Sequence, residues 1–321
     1  MAIAYDRRVP DALLDALAPG GFAHSLVEYG RSGAFALDLQ LRGYAGKNGH
    51  WATLYVGLTK VLDLNYLPAK GFRLGAHSTY RTDQNGWHAT WEKRHDDAWW
   101  TQRWGDVEDY LEIVIVTVGH RHLKEGAVQS AICGFDSPDR VIIDREASVT
   151  FGSSGERDTK TQAIAAPLLS ALDRHGAPAW WKSHPTSLGG ECDALAIDSA
   201  GRVLAIEIKP ADASTLPWAL VQVMHYANLF RAWTEEQPHA SHVLNGMLRQ
   251  RRSLGLTLGG ATFGAGSPLT VRPVLAFDRR ATQTARARLK EVHDHLTAKG
   301  IVVDVDVYEA NRVGRLDPYQ L

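Results

Sequence analysis

The residues Glu191-Cys192-Asp193-Ala194-Leu195-Ala196-Ile197-Asp198, a break at Ser199-Ala200-Gly201, and Arg202-Val203-Leu204-Ala205-Ile206-Glu207-Ile208-Lys209-Pro210 decide how the chain is read. Two short apolar runs flank a glycine-containing turn, the pattern of a β-hairpin. Side chains alternate across a strand, so Glu191 and Asp193 share one face, and Glu207 and Lys209 share a face of the partner. Three carboxylates and an ammonium are therefore expected to converge. The other face of the second strand is Leu204, Ile206 and Ile208, so the strand is expected to be buried on at least one side. Charges there are costly unless paired or bound to a cation, and clustered carboxylates raise one another's pKa. A hard divalent ion answers both demands, and magnesium keeps positions open for water and phosphate oxygens. Lys209, two residues from Glu207, would hold or deprotonate a water, or place positive charge on a phosphoryl transition state.

After Lys209 the chain runs through Ser214, Thr215 and Pro217 into Trp218–Trp233, almost wholly apolar. Ser214 or Thr215 can cap a helix whose first turn accepts Pro217. Gln222 and Tyr226 are four apart and lie on one helical face. In a largely buried helix that polar pair needs a destination. The plainer alternative is that Gln222 satisfies a neighbouring backbone group and Tyr226 belongs to the core.

Asp193, then Glu207-x-Lys209, then Gln222-x3-Tyr226 resembles the PD-(D/E)xK, or restriction-endonuclease-like, nuclease superfamily, in the branch that carries a Q-x3-Y helix after the ExK strand. The resemblance covers about residue 152 to the end of the chain. It implies an α/β fold with a C-terminal mixed sheet flanked by helices, and a metal-dependent hydrolase of nucleic-acid phosphodiesters. DNA is the expected substrate, endonuclease action is favoured over exonuclease, and Mg2+ is the implied cofactor, with Mn2+ able to substitute. Asp193 and Glu207 become metal ligands with the Ile208 carbonyl as a third, Lys209 positions or activates the water, and Gln222 and Tyr226 support them. Glu191 and Gln162 are candidates for the ring of groups around the ligands. Gln162 stands nearest the place where the family's first helix often carries a glutamate, with Glu156 an alternative, and a neutral amide there puts a second metal in doubt. Cys192 stands where the motif has proline. Defence against foreign DNA and repair are both compatible roles. The rival reading is a catalytically silent nucleic-acid-binding or assembly protein of the same fold.

The chain has 321 residues, room for two domains or one elaborated domain. A formal net charge of −1 gives no global basic field, so nucleic-acid contact must come from local patches. Two cysteines, Cys133 and Cys192, make neither a disulfide scaffold nor a structural zinc site, and a reducing cytoplasm is the expected compartment. Asp6, Arg7 and Arg8 argue against a signal peptide, and no apolar run suggests a membrane span. A homodimer or a partner protein is compatible with the sequence.

Residues 1–151 are expected to form a β-rich N-terminal domain that selects or positions substrate, and 152–321 the nuclease domain, with Gly152-Ser153-Ser154-Gly155 as linker. Asp11 to Leu17 reads as a short helix, and Phe22 to about Arg81 as β-like. Strands around 35–41 and 51–58 are joined by a hairpin loop at Gly46-Lys47-Asn48-Gly49. The tryptophan-rich stretch 86–104 could stack bases beside its basic residues, but aromatic pairs four apart more often pack a core, and that reading is preferred. Tyr110 to Val118 is ambiguous between strand and helix. His120-Arg121-His122 is read as surface or linker. Asp158 to Gly176 reads as a helix, Leu269 to Phe277 as a strand, Thr282 to Ala298 as a helix, and Ile301 to Tyr308 as a strand whose Asp304 and Asp306 form a solvated face. A glycine-rich loop, 246–266, carries Arg249, Arg251 and Arg252, which would either grip a phosphate backbone or form a solvated charge run.

Overall fold

The computed structural model describes residues 3–32, 37–43, 49–67, 70–121, 125–135, 137, 140–257, 259–264 and 269–321. It is a mixed α/β protein with a four-stranded antiparallel sheet and a six-stranded mixed sheet. The chain divides into two compact units. One comprises Asp6–Asp136 and Val243–Gly260; the other comprises Met1–Tyr5, Ser137–His242 and Ala261–Leu321. The boundary expected at 151/152 is therefore corrected. An edge strand of the hairpin's sheet lies before it, and the segment after His242 joins the N-terminal unit.

In the first unit, helices α1 (Asp11–Leu17) and α2 (His24–Ser32) precede strands β1 (Leu37–Gly43), β2 (His50–Val56), β3 (Thr59–Leu67) and β4 (Gly71–Gly75). The β-like reading from Phe22 onward is thus corrected at α2, whose Leu26 and Val27 are buried in the same core as Leu39, Leu54, Leu62 and Leu74 of the sheet. The loop expected at 46–49 falls, but for Gly49, outside the described residues. Tyr110–Val118 resolves as helix, inside α3 (Asp97–Arg121), and α4 (Glu125–Gly134) follows. Of the expected His120-Arg121-His122 pair, His122 lies outside the described residues. Trp87, Trp91 and Trp100 are buried, as the core reading expects. Trp87 and Trp91 are not a helical pair, however. Trp91 sits in a 3-10 turn, Ala89–Glu92, and the two rings pack edge to face 5.1 Å apart against Tyr110. Such large buried rings supply much of the unit's apolar stabilisation.

The second unit holds β5 (Arg140–Ala147), α5 (Ser154–Ala171), β6 (Cys192–Asp198), β7 (Val203–Lys209), α6 (Ala219–Glu236), β8 (Val271–Asp278), α8 (Gln283–Ala298), β9 (Asp306–Ala310) and β10 (Leu316–Pro318), while α7 (Ala240–Ser253), between α6 and β8, passes from this unit into the first after His242. The sheet order is β10-β9-β8-β7-β6-β5. β5, β6 and β7 run antiparallel as a meander, β7, β8 and β9 run parallel, and β10 closes the edge antiparallel. The parallel steps require helical crossovers, which α6 and α8 supply. Buried on both faces, β7 has no exposed residue along its length. Gly152-Ser153-Ser154-Gly155 is not a linker: Ser153 caps α5, its hydroxyl accepting the Glu156 N–H at 3.2 Å. Asp304 and Asp306 are not merely solvated, since both accept hydrogen bonds from Arg272. At the start of the chain, Ala4 bridges Thr150, and the Tyr5 hydroxyl donates to buried Asp144 at 2.6 Å. Among the described residues no helix is long and apolar enough to cross a membrane.

Candidate functional site: a charged cluster on the central strands

The turn between β6 and β7 sets the register on which the site depends. Asp198 accepts the N–H groups of Ala200 and Arg202 at 3.0 and 2.8 Å and the Arg202 guanidinium at 2.6 Å. Gly201 takes a positive φ of 74°, a conformation glycine adopts without cost. From there Ala196 pairs with Leu204 and Ala194 with Ile206. One step further along, the same register sets Asp193 opposite Glu207, so the two carboxylates share a face on adjacent strands.

Their contacts tie the group together. The Ile208 N–H donates to Asp193 Oδ2 at 2.6 Å, and Lys209 Nζ lies 2.5 Å from Glu207 Oε1. The Lys209 and Glu207 side chains are only 8% and 4% exposed, so this ion pair is shielded from water. Burial first, and then the Glu207 charge, push the Asp193 carboxyl well above the ordinary carboxylate range; the Ile208 N–H and Lys209 oppose the shift. Half-buried Asp193 thus sits beside the buried Glu207–Lys209 ion pair. Cys192, where the motif has proline, is buried, and its thiol donates to the Ala194 and Ile206 carbonyls at 3.2 and 3.3 Å. Its pKa is raised by burial and by Asp193 and Glu207, which leaves it an inert packing group.

A third carboxylate belongs to the same row. β5 pairs Arg145 with Ala194 and Ala147 with Cys192, which sets Glu146 opposite Asp193. Its charge adds to the rise in the Asp193 pKa. Glu146 has φ of 49°, the one non-glycine residue in the left-handed region among those described. The run Val141-Ile142-Ile143 marks a strand in the sequence, but not that this strand pairs with the hairpin.

α6 brings its polar face to the cluster. The Tyr226 hydroxyl is raised by burial and then by the charges of Glu207, Cys192, Asp193 and Glu191. A Cβ on Gly189 would come within 3.3 Å of the Tyr226 oxygen, so the loop before β6 closes over the phenol. One turn earlier, half-buried Gln222 has its amide oxygen buried with no hydrogen-bond partner. His225, three residues from Gln222 on the same face, is fully buried with neither ring nitrogen in a well-formed hydrogen bond. Burial lowers its pKa to about 4, opposed only by the Gly189 backbone. The i, i+3, i+4 set Gln222, His225, Tyr226 was the available signal for it.

Other expected residues lie apart. Glu191 is exposed just before β6, and its charge acts on Tyr226. Gln162 is exposed on α5, and no hydrogen bond or ion pair links it to the cluster. Glu156 on the same helix is engaged with Lys160 at 3.6 Å. The arginine loop is corrected as well. Residues 246–253 are helical in α7, and Arg249, Arg251 and Arg252 belong to the first compact unit. Arg251 is buried and donates to the Gln40 side chain at 3.1 Å, while Arg252 donates to the Gly259 carbonyl at 2.6 Å. Only Arg249 is exposed.

Among the described residues no three His, Cys, Asp or Glu side chains are grouped to enclose a metal. Asp193, Glu207 and the Ile208 carbonyl offer hard oxygen donors only, a set that suits magnesium, which is commonly held by one or two carboxylates and completed by waters and substrate phosphates. What sheet and cluster define together is an α/β protein whose central strands bring a half-buried and a buried carboxylate together beside an ammonium. No protein-family model, curated protein or solved structure matches the chain.

Proposed function

We propose that the chain is a magnesium-dependent nuclease of the restriction-endonuclease-like class, acting on DNA. The observation that carries this reading is the register that sets Asp193 against Glu207 on central strands, with Lys209 paired to Glu207 and Tyr226 near enough to feel both carboxylates. Packing gives no reason to set a buried and a half-buried carboxylate side by side, since an apolar pair would be cheaper there. Asp193, Glu207 and the Ile208 carbonyl would hold the ion, which when bound supplies Lewis acidity toward a phosphoryl oxygen. Lys209, an ammonium beside Glu207, donates to a non-bridging phosphate oxygen and adds positive charge where negative charge develops. The Gln222 amide oxygen accepts a hydrogen bond from the attacking water and fixes its direction, and the Tyr226 hydroxyl donates a hydrogen bond to the phosphate. The water oxygen forms the new bond to phosphorus as it releases a proton to solvent, the bond to the departing sugar oxygen breaks, and that oxygen takes up a proton from solvent water.

The test is incubation of labelled single- and double-stranded DNA and RNA with magnesium, manganese or chelator. Cleavage of DNA that stops with chelator is expected, with Glu207→Gln and Lys209→Ala each slower by at least about 100-fold, the scale of losing one charge-stabilising group. Variants that cut as fast as the parent would overturn the site assignment. Binding of DNA without cleavage by the parent would favour a silent binding protein of the same fold.

A further inference from the structure

The antiparallel sheet of the first unit has a second polar site. Its rows Trp51–Asn65–Arg73 and Thr53–Asp63–Gly75 run across β2, β3 and β4. The opposite face, with Leu54, Leu62, Leu64 and Leu74, is buried in the core. Over the polar rows lies a cavity of about 350 Å³, lined by Trp51, Lys60, Asp63, Asn65, Arg73 and the Arg81–Glu92 pair. That volume is at the lower end of the range for small-ligand sites, roughly 300 to 1,000 Å³.

The charges in this cavity do not balance. Lys60 is 2.7 Å from Asp63, whose other oxygen accepts the Thr53 hydroxyl at 2.6 Å, and Arg81 is 3.1 Å from Glu92. Arg73 is exposed and has neither ion pair nor hydrogen bond among the described residues, so the lining carries one excess positive charge. Arg94 donates to the Asn65 and Gly71 carbonyls at 3.3 and 3.0 Å, and Arg73 is the like charge that adds to the lowering of its pKa by burial. An anion at Arg73 would relieve both. Beside it, half-buried Trp51 offers an aromatic surface, and the Asn65 amide offers one acceptor and two donors. At Gly75 a Cβ would sit 3.6 Å from Asp63 and 3.7 Å from Asn65, so a longer side chain there would fill the cavity floor. Anion, planar ring and hydrogen-bonding edge within one small cavity are the chemistry of a nucleotide.

We propose that this cavity takes one nucleotide of a nucleic-acid strand, with its base on Trp51 and its phosphate at Arg73. The choice of nucleic acid over a free nucleotide rests on the nuclease reading. The pocket then holds a single unpaired nucleotide while the strand is engaged elsewhere. Single strands are favoured over duplex, because a paired base cannot reach the ring.

Binding of a fluorescent 12-nucleotide single strand, and of its duplex, is measured by anisotropy across a salt series, with chelator present so that no cleavage occurs. Trp51→Leu is expected to weaken single-strand binding by roughly 5- to 100-fold, the worth of one base–aromatic stack. Exposed Arg73→Gln is expected to fold as the parent does, to bind more weakly and to lower the slope of log affinity against log salt by about 0.7. Duplex binding should change less. Arg73→Gln with parental affinity and slope would overturn the proposal, as would competition by a free mononucleotide as effective as by the strand. The two readings fail separately. Variants that weaken binding of a parent that never cleaves leave the pocket standing and sink the nuclease; unchanged binding by Arg73→Gln in a parent that cleaves does the reverse.

Discussion

His225 is the residue whose chemistry can be read most simply in solution. Its folded-state pKa, about 4, lies below the ordinary histidine value of 6.5 because burial disfavours the imidazolium. Between those values the unfolded chain binds a proton that the folded chain does not. The resulting stability is complete above about pH 6.5 and is lost as pH falls toward 4, on the order of 3 kcal/mol in all. Urea midpoints from pH 4 to 7.5 should fall over that window in the parent and fall less in His225→Leu; parallel curves would show that His225 is not the group responsible. Asp193, Glu207 and Lys209 were legible from strand alternation alone, because spacing of two puts them on shared faces. Glu146 was not, since register with a strand some 50 residues earlier is a tertiary fact, and its positive φ breaks the local pattern. His225 was missed because a single histidine on an apolar helix reads as core, and the helix that carries Gln162 begins at Ser154, four residues before the expected Asp158.

At the level of elements, the β6–β7 hairpin and the cap of α5 carry separable loads. Asp198 satisfies two turn N–H groups and one guanidinium from a nearly buried position. Asp198→Ala should cost about 2 kcal/mol, since hydrogen bonds to a charged acceptor are lost. Ser153→Ala removes the acceptor for the Glu156 N–H and should cost about 1 kcal/mol. Chemical denaturation measures both, and an Asp198→Ala chain as stable as its parent would mean that the turn does not hold the register. Periodicity located β6, β7, α6, β8 and α8 closely, because each has one dominant pattern. It failed where two signals compete. The Gly-Ser run at 152–155 imitates a linker, although serine followed three residues later by glutamate is also a helix-start signature. The arginines at 249–252 sit near glycines but remain in the last turns of α7.

For the whole molecule, the mixed α/β class was legible from strand and helix alternating after residue 190, whereas the division into units was not. The chain contributes Ser137–His242 to one unit, Val243–Gly260 to the other, and then returns. No local composition marks such an exchange, because both segments are ordinary amphipathic sequence. A fragment starting at residue 152 would lack β5 and leave β6 as an open edge. It should therefore aggregate on size-exclusion chromatography, while a monomeric fragment that unfolds cooperatively would show that β5 is dispensable. The proposed site is one cation shared by two strands. Manganese binding followed by electron paramagnetic resonance, with and without DNA, measures this most directly. The parent should hold one Mn2+ per chain that is lost in Asp193→Asn/Glu207→Gln; equal binding by both proteins, or none by the parent even with DNA, would contradict it.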